Sequence, residues 1–316
     1  MPLAPEIQAL VDAMAQDPDA LPTHLQSLDE ARAGYVALGN MFGPGEAVAK
    51  VTDRSVPGPA GEIPIRCYLP SQEAGLPIVV FFHGGGWTIG DLDTHDKECR
   101  AIANGAQALV VSVDYRLGPE HKYPAAADDC FAALQWVGEH GSDLGGDPSR
   151  IAVAGDSAGG NLSAVVSLLA RDGGGPALRA QVLVYPCVDM RGEATEAHPS
   201  RLENAAGPFL LKESMDYFEA CYLADDDQRR EPKASPLLAT SHAHLPPALV
   251  ITAGLDPLRD EGAEYVAKLA AAGISCAHQL FGTEMHGFVC SEGMTDGHVQ
   301  AIQLISQWIE VQKPDH

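Results

Sequence analysis

Positive charge is scarce in this sequence of 316 residues. Lys and Arg total 20 against 43 Asp and Glu, which gives a formal net charge of −23. An acidic surface repels the phosphate backbone of nucleic acids and anionic membranes, so we expect neither as a partner. No Lys or Arg precedes Arg32, and the longest strongly apolar run covers only residues 76–82. We therefore expect neither a secretory signal nor a membrane span.

The sequence also lacks the motifs that hold disulfides, metals or other cofactors. No HExxH occurs, and the pair His242 and His244 lies in a predicted loop, where we do not expect it to bind metal. We expect no cofactor. Seven cysteines without Cys-x-x-Cys spacing are typical of buried small residues in a reducing compartment, which predicts a cytoplasmic protein. These cysteines are Cys67, Cys99, Cys130, Cys187, Cys221, Cys276 and Cys290.

What the sequence does contain is a regular alternation of short apolar runs with helical patterns. The apolar runs cover residues 49–56, 63–69, 77–83, 108–114, 150–154, 181–186, 248–254 and 275–281. Helical patterns cover residues 94–106, 124–140, 158–171, 257–272 and 294–311. The turn signal GPAGE between the first two runs predicts an antiparallel hairpin. The later alternation predicts an α/β fold with a mostly parallel, eight-stranded sheet flanked by helices.

One long segment interrupts this alternation. Between residues 188 and 235 no strand is predicted, and its piece FLLKESMDYFEACYL is helical in pattern and apolar on one side. An insertion of this length between two strands is typical of a lid or a subdomain. A further amphipathic helix is predicted over residues 5–14. We expect an α/β core from residues 46–187 and 236–316, and a helical cap from residues 1–45 and 188–235.

A candidate nucleophile lies where a predicted strand meets a predicted helix, in GDSAGG. Gly155, Ser157 and Gly159 fit Gly-x-Ser-x-Gly, in which a serine occupies a strained turn and small residues let strand and helix approach closely. The helix N-terminus then favours negative charge beside Ser157. The alternatives are a glycine-rich turn with a helix-capping serine, or a phosphate-binding loop, although no Gly-Lys-Ser/Thr follows. We predict that Ser157 is the nucleophile.

A serine hydroxyl needs a base, and twelve histidines are available. His286 follows the last predicted strand, at the carboxyl edge of the sheet where Ser157 also lies. His278 lies within that strand and His298 on the last helix. We therefore predict His286 as the general base, with an ordinary loop histidine as the alternative.

The base needs a carboxylate that fixes its orientation. Asp256 follows the predicted strand 248–254, again at a carboxyl edge. An N-cap aspartate is the alternative interpretation of Asp256, and Asp260 is the runner-up for the acid. The chain order Ser157, Asp256, His286 is the order of the α/β-hydrolase triad.

The glycine-rich stretch HGGGW follows the third apolar run and is costly in backbone entropy. Ester attack places negative charge on the carbonyl oxygen, and backbone N–H groups stabilise that charge. We predict that Gly84, Gly85 and Ala158 donate these N–H groups and that Gly86 shapes the loop. A flexible hinge is the alternative. Trp87 fits either a pocket wall or the core.

Taken together, several stretches resemble the bacterial hormone-sensitive-lipase-like esterases, a branch of the α/β-hydrolases. They run in the expected order from about residue 81 to residue 288, and His83 and Asp156 also match, as groups that shape the loop and the elbow. One small departure is Gly118, where relatives commonly carry alanine. The matching stretches are HGGGW, DYRLGPE, YPAA, GDSAGGNLS, GLDPLRDEG and HGF.

The resemblance implies a carboxylesterase that hydrolyses short- to medium-chain acyl esters through an acyl-enzyme. It implies the same triad and N–H donors, and often a homodimer along the edge strand 275–281. Amide, lactone or acyl-transfer chemistry shares the triad and stays open, as does a non-catalytic small-molecule receptor. The cap residues Phe209, Leu210 and Leu211 are candidates for the substrate pocket, or else pack the cap onto the core.

Overall fold

The computed structural model describes residues 5–16, 21–41, 43–291 and 295–311. Their strands are β1 (Lys50–Gly58), β2 (Gly61–Leu69), β3 (Leu76–Phe82), β4 (Leu109–Val113), β5 (Gly146–Asp156), β6 (Leu178–Val184), β7 (Ala248–Leu255) and β8 (Cys276–Met285). Their α-helices are α1 (Pro5–Gln16), α2 (Leu28–Met41), α3 (Asp96–Ala106), α4 (Ala125–His140), α5 (Ala158–Gly173), α6 (Ala194–Ala197), α7 (Ser200–Glu203), α8 (Lys212–Tyr222), α9 (Arg259–Ala271) and α10 (Asp296–Val311).

The eight strands form one sheet in the order β1-β2-β4-β3-β5-β6-β7-β8. Only the pairs β1–β2 and β2–β4 are antiparallel, and all other neighbours are parallel. The predicted hairpin and the predicted mostly parallel, eight-stranded sheet are therefore confirmed. Because β3, β5, β7 and β8 run in the same direction, the residues that follow them meet at one edge of the sheet.

The core lies on both faces of the central strands. Every residue of β3 is buried, and its side chains alternate between two apolar clusters. Ile78 and Val80 pack with residues of α4 and α5, while Val79 and Phe81 pack with residues of α3 and α10. A strand covered by helices on both faces reads as a continuous apolar run, which explains the sequence pattern of β3 and β4.

The segment between β6 and β7 carries no strand in its described residues. It contains the short helices α6 and α7 and the longer α8. The predicted helix over residues 209–223 begins only at Lys212, because Leu211 has the extended backbone of a helix N-cap (φ −87°, ψ 150°). Phe209, Leu210 and Leu211 therefore precede the helix and are not part of it.

The other predicted helices lie where the sequence places them, with ends that agree to within two residues. The helix predicted over residues 5–14 is α1, although most of its apolar side chains lie outside the described residues. Among the described helices, none combines the length and the apolar character needed to cross a bilayer.

Candidate active site

Ser157 occupies a strained turn between β5 and α5. Its backbone has φ 55° and ψ −116°, a conformation that non-glycine residues rarely adopt. A Cβ on Gly155 would lie 2.4 Å from the Gly159 oxygen, and a Cβ on Gly159 would lie 1.8 Å from the Phe82 oxygen. Glycine at both positions thus lets α5 begin directly against β3 and β5, as the elbow pattern predicts.

Three predicted residues from three strand ends meet at the carboxyl edge of the sheet. Ser157 Oγ donates to His286 Nε2 at 2.9 Å, and His286 Nδ1 donates to Asp256 Oδ2 at 2.8 Å. Asp256 is fully buried, and its Oδ1 accepts the N–H of Leu258 at 2.8 Å. This network fixes the imidazole so that Nε2 is free to accept a proton from Ser157.

The alternative residues lie elsewhere. Asp260 accepts the N–H of Ser200, His278 bonds Thr252 on the neighbouring strand, and His298 bonds the carbonyl of Val289. The geometry therefore distinguishes His286 and Asp256 from the other histidines and aspartate that the sequence leaves open.

The HGGG stretch forms a loop that follows β3, beside Ser157. Gly84 donates its N–H to Asp156 Oδ1 at 2.8 Å, so this group does not point at the cavity and the prediction of Gly84 as an oxyanion donor is wrong. Gly85 (φ 113°) and Gly86 (φ 58°) both line the cavity. Within the described residues, neither of their N–H groups has a hydrogen-bond acceptor. Ala158 is the first residue of α5, so its N–H has no acceptor within the helix.

An apolar cavity of about 560 Å³ opens above Ser157 and His286. The pocket residues predicted from sequence, Trp87, Phe209, Leu210 and Leu211, all line it. Trp87 is also buried, at 3% exposure, and it stacks on Tyr222 of α8 with ring centroids 4.6 Å apart. Trp87 therefore serves as pocket wall and core residue at once.

Sequence reasoning missed further lining residues on the helices α2 and α8. Tyr35 and Leu38 of α2 and Met215 and Phe218 of α8 also face the cavity. Each pair is spaced by three residues, which is the spacing of one helix face and a signal that was available. A Cβ on Gly86 would lie 2.2 Å from the Phe218 ring, so the glycine loop and α8 are in direct contact.

A buried polar network lies beneath the elbow. His95 Nε2 lies 3.2 Å from Asp156 Oδ1, and neither side chain is appreciably exposed. Burial alone would lower the pKa of His95, but the charge of Asp156 and the hydrogen bond outweigh it and raise that pKa. Burial and the charge of His95 lower the pKa of His83 to about 4, and burial raises the pKa of Glu98 to about 7.

Within residues 5–16, 21–41, 43–291 and 295–311, one group has the composition of a metal site. It consists of His95, Asp156 and Cys290, whose ligand atoms lie within 4.8 Å of one another. The Asp156 carboxylate already bonds His95 and the N–H of Gly84, and Cys290 Sγ lies 3.7 Å from its other oxygen. These mutual bonds satisfy the group as a hydrogen-bond network. His242 instead bonds the carbonyl of Pro236.

Comparisons with known proteins agree with this geometry. Residues 79–290 match the model of a family described as having the alpha/beta hydrolase fold. The carboxylic ester hydrolase LipN of Mycobacterium tuberculosis is 47% identical, over 88% of this chain and 73% of that protein. The carboxylesterase NlhH of the same species is also 47% identical, over 86% of both. The esterase of Pyrobaculum calidifontis superimposes with a TM-score of 0.90 at 38% identity, over 98% of this chain and 99% of that one.

The family match covers more than half of the chain, and both bacterial relatives are similar over most of their length. Membership of one family therefore explains both the shared fold and the order of the motifs. The chain belongs to the α/β-hydrolase family, in the hormone-sensitive-lipase-like esterase branch that its motifs resemble.

Proposed function

We propose that this protein is a carboxylesterase that hydrolyses short- to medium-chain acyl esters through a serine acyl-enzyme. The observation that carries this proposal is the hydrogen-bonded series Ser157–His286–Asp256 at the floor of an apolar cavity. The names of two relatives that are 47% identical, carboxylic ester hydrolase and carboxylesterase, support the same chemistry.

In the first half of the reaction, His286 Nε2 takes the proton of Ser157 Oγ as the oxygen attacks the ester carbonyl. Asp256 stabilises the imidazolium that forms and remains ionised. The imidazolium then protonates the leaving alcohol, and the carbon–oxygen bond breaks to give the acyl-enzyme. In the second half, His286 deprotonates a water molecule that attacks the acyl carbon and releases the acid and free Ser157.

The tetrahedral intermediate carries its negative charge on the former carbonyl oxygen. We assign the donors to Gly85, Gly86 and Ala158, because the N–H of Gly84 is already used by Asp156. Loss of one such donor typically costs about 10²- to 10³-fold in kcat. The positive φ angles of Gly85 and Gly86 support this assignment, since few other residues adopt them without strain.

We propose that Trp87, Phe209, Leu210 and Leu211 contact the acyl or the alcohol group of the substrate. The cavity is mainly apolar, and such a lining removes hydrocarbon groups from water. Residues 1–45 and 188–235 would form the cap over a core of residues 46–187 and 236–316. The cavity lining from α2 and α8 supports this division.

Two further features of the protein remain proposals. The seven cysteines are free thiols, which supports a cytoplasmic location, and recovery in a membrane fraction would contradict it.

β8 is an edge strand with a half-exposed Leu280, which supports a homodimer through residues 275–281. A sedimentation mass equal to one chain would contradict the dimer.

Amidase, lactonase and acyltransferase activities would use the same triad. Ester hydrolysis is the better supported choice because the relatives carry ester-hydrolase names. A receptor without catalysis is poorly supported, because the base, its carboxylate and the serine are all in bonding distance.

The experiment that tests the function is the initial rate of hydrolysis of p-nitrophenyl esters from acetate to palmitate. We expect the rate to peak at short to medium chains and kcat of Ser157→Ala to fall by about 10⁴- to 10⁶-fold, because triad members act as a unit. The control is the unfolding temperature of the variant, which should match the wild type. Activity of Ser157→Ala within tenfold of the wild type would remove Ser157 from the mechanism.

A further inference from the structure

His95 is a buried histidine outside the triad. It is the residue before α3 and is 0% exposed, with its ring among those of Tyr35, Phe81 and His83. None of the reaction steps above uses it. A buried ionisable side chain next to a nucleophile needs a reason, because burial without a partner costs free energy.

Both ring nitrogens of His95 face hydrogen-bond acceptors. Nδ1 lies 2.9 Å from Thr94 Oγ1, and this hydroxyl donates its own proton to the carbonyl of Asp91 at 2.8 Å. Thr94 Oγ1 can therefore only accept from His95. Nε2 lies 3.2 Å from Asp156 Oδ1 and 3.3 Å from the backbone nitrogen of Gly84. The Gly84 nitrogen is closer to Asp156 Oδ1, at 2.8 Å, so we assign its N–H to the carboxylate, and Nε2 then donates to the same oxygen. This arrangement of two acceptors suits an imidazolium, which carries a proton on each nitrogen.

The partner carboxylate belongs to the elbow itself. Asp156 precedes Ser157, lines the cavity and is 4% exposed. The same Oδ1 that faces His95 accepts the N–H of Gly84 at 2.8 Å, and Gly84 leads into the two glycines with free N–H groups. One carboxylate oxygen thus joins His95 to the glycine loop.

The charges of this group bear on the reaction. Burial alone would raise the pKa of Asp156, but the charge and hydrogen bond of His95 outweigh it and lower that pKa, so the carboxylate stays ionised. An unpaired anion next to Ser157 would oppose the negative charge that develops on the substrate oxygen. The other titratable groups around His95 are Glu98, Asp91, His83, Tyr35 and Cys290.

We propose that His95 is a positioning residue for ester hydrolysis, an inference that rests on the proposed function. Its imidazolium supplies the counter-charge of Asp156 and holds that carboxylate against the N–H of Gly84. Through this contact the loop keeps Gly85 and Gly86 aimed at the substrate oxygen, and the charge of Asp156 is balanced.

The test compares His95→Gln with the double variant His95→Gln/Asp156→Asn. Gln donates one hydrogen bond but carries no charge, so we expect kcat of the single variant to fall by about 10- to 100-fold with KM unchanged. In the double variant the amide oxygen still accepts from Gly84 and the anion is gone, so kcat should recover to within a few-fold of the wild type. His242→Gln, at a buried histidine away from the cavity, is the matched control and should keep wild-type kcat.

Three outcomes would overturn the role of His95. These are an unchanged kcat in His95→Gln, an increase in KM alone, and a double variant that is slower than the single one. If His95→Gln does not fold, Thr94→Val removes the acceptor of Nδ1 together with the hydroxyl's bonds to Asp91, and it should lower kcat several-fold. An unchanged kcat in Thr94→Val would equally refute the proposal. Wild-type protein without esterase activity, or with activity that survives in Ser157→Ala, would instead refute the proposed function.

Discussion

The tightest packing around the nucleophile lies at Gly159, two residues after Ser157. Its Cα faces the carbonyl oxygens of Phe82 and His83 at the end of β3, and a Cβ there would lie 1.8 Å and 2.8 Å from them. Backbone oxygens of a central strand cannot move aside as the end of a side chain can. The position of α5, and with it that of the Ala158 N–H, therefore depends on the absence of a side chain at Gly159.

We expect Gly159→Ala to lower the free energy of unfolding by about 3 kcal/mol, because the new methyl overpacks the junction of β3 and α5. The measurement is urea denaturation, with kcat determined on the folded fraction. Gly192→Ala is the matched control, since a Cβ at Gly192 meets no heavy atom within 4 Å. Equal stability of the two variants would show that the junction relaxes.

The loop of Gly84, Gly85 and Gly86 shows which functional residues can be predicted from the sequence and which cannot. The meeting of Ser157, Asp256 and His286 follows from the sequence because each comes directly after a strand, and strand ends meet at one edge. The donors do not follow, because Gly84, Gly85 and Gly86 look alike in sequence and differ only in where their N–H groups point. The contact from Gly84 to Asp156 is made across 72 residues of chain, and no local pattern reveals it.

Buried charges connect α7, which lies between β6 and β7 in the chain, to α9. Arg201 of α7 is 6% exposed by its side chain and pairs with the fully buried Glu261 of α9 at 2.6 Å. Glu261 also accepts the N–H groups of Val188 and Asp189, where the chain leaves the core after β6. Breaking a buried pair of this kind lowers the free energy of unfolding, because the remaining charge is neither paired nor solvated.

We expect Arg201→Met to lower the free energy of unfolding by about 3–5 kcal/mol, since it leaves Glu261 charged and buried. Arg201→Met/Glu261→Gln should recover much of that loss. Chemical denaturation measures both. As a control, Arg230→Met removes an exposed ion pair with Glu193 and should not shift the denaturation midpoint. An additive loss in the double variant would argue against the uncompensated charge as the cause.

The strands of the sheet and the long helices beside them are predictable, because each is long enough to show a regular spacing of apolar residues. The helices between β6 and β7 are less predictable, since α6 and α7 have four residues each and complete barely one turn. The helix α7 is held by side-chain contacts such as that from Ser200 Oγ to the carbonyl of Pro257, which depend on tertiary packing. Even α8 begins three residues later than its apolar pattern suggests, since Phe209, Leu210 and Leu211 are apolar because they line the cavity.

Negative charge dominates the protein as a whole, and the cavity does not offset it. The net charge is −23. Among the described residues that line the cavity none is Lys or Arg, while Asp156 and Glu219 are acidic. The arginines near Glu219 are paired with carboxylates, Arg201 with Glu261 and Arg229 with Glu219 itself. A substrate that carries its own negative charge therefore meets repulsion in solution and finds no free cation inside.

We expect kcat/KM for monomethyl adipate to be at least about tenfold below that for methyl hexanoate, which has a methyl group where the adipate has its carboxylate. Raising the salt concentration from about 0.01 M to about 0.15 M shortens the screening length from about 30 Å to about 8 Å. The rate on the anionic ester should rise with salt while that on the neutral ester stays constant. A titration assay of acid release measures both, and equal, salt-independent rates would contradict the expectation.

The cavity has its reactive floor on strand ends and loops of the sheet and much of its wall on α2 and α8, two segments far apart in sequence. The reactive groups and the shape of the space above them are thus encoded separately. Substitutions at Tyr35, Leu38, Met215 or Phe218 can alter which acyl groups fit while the hydrogen bonds of Ser157 stay intact. For an engineer, a small library confined to these four positions would explore substrate choice while leaving Ser157, His286 and Asp256 unchanged.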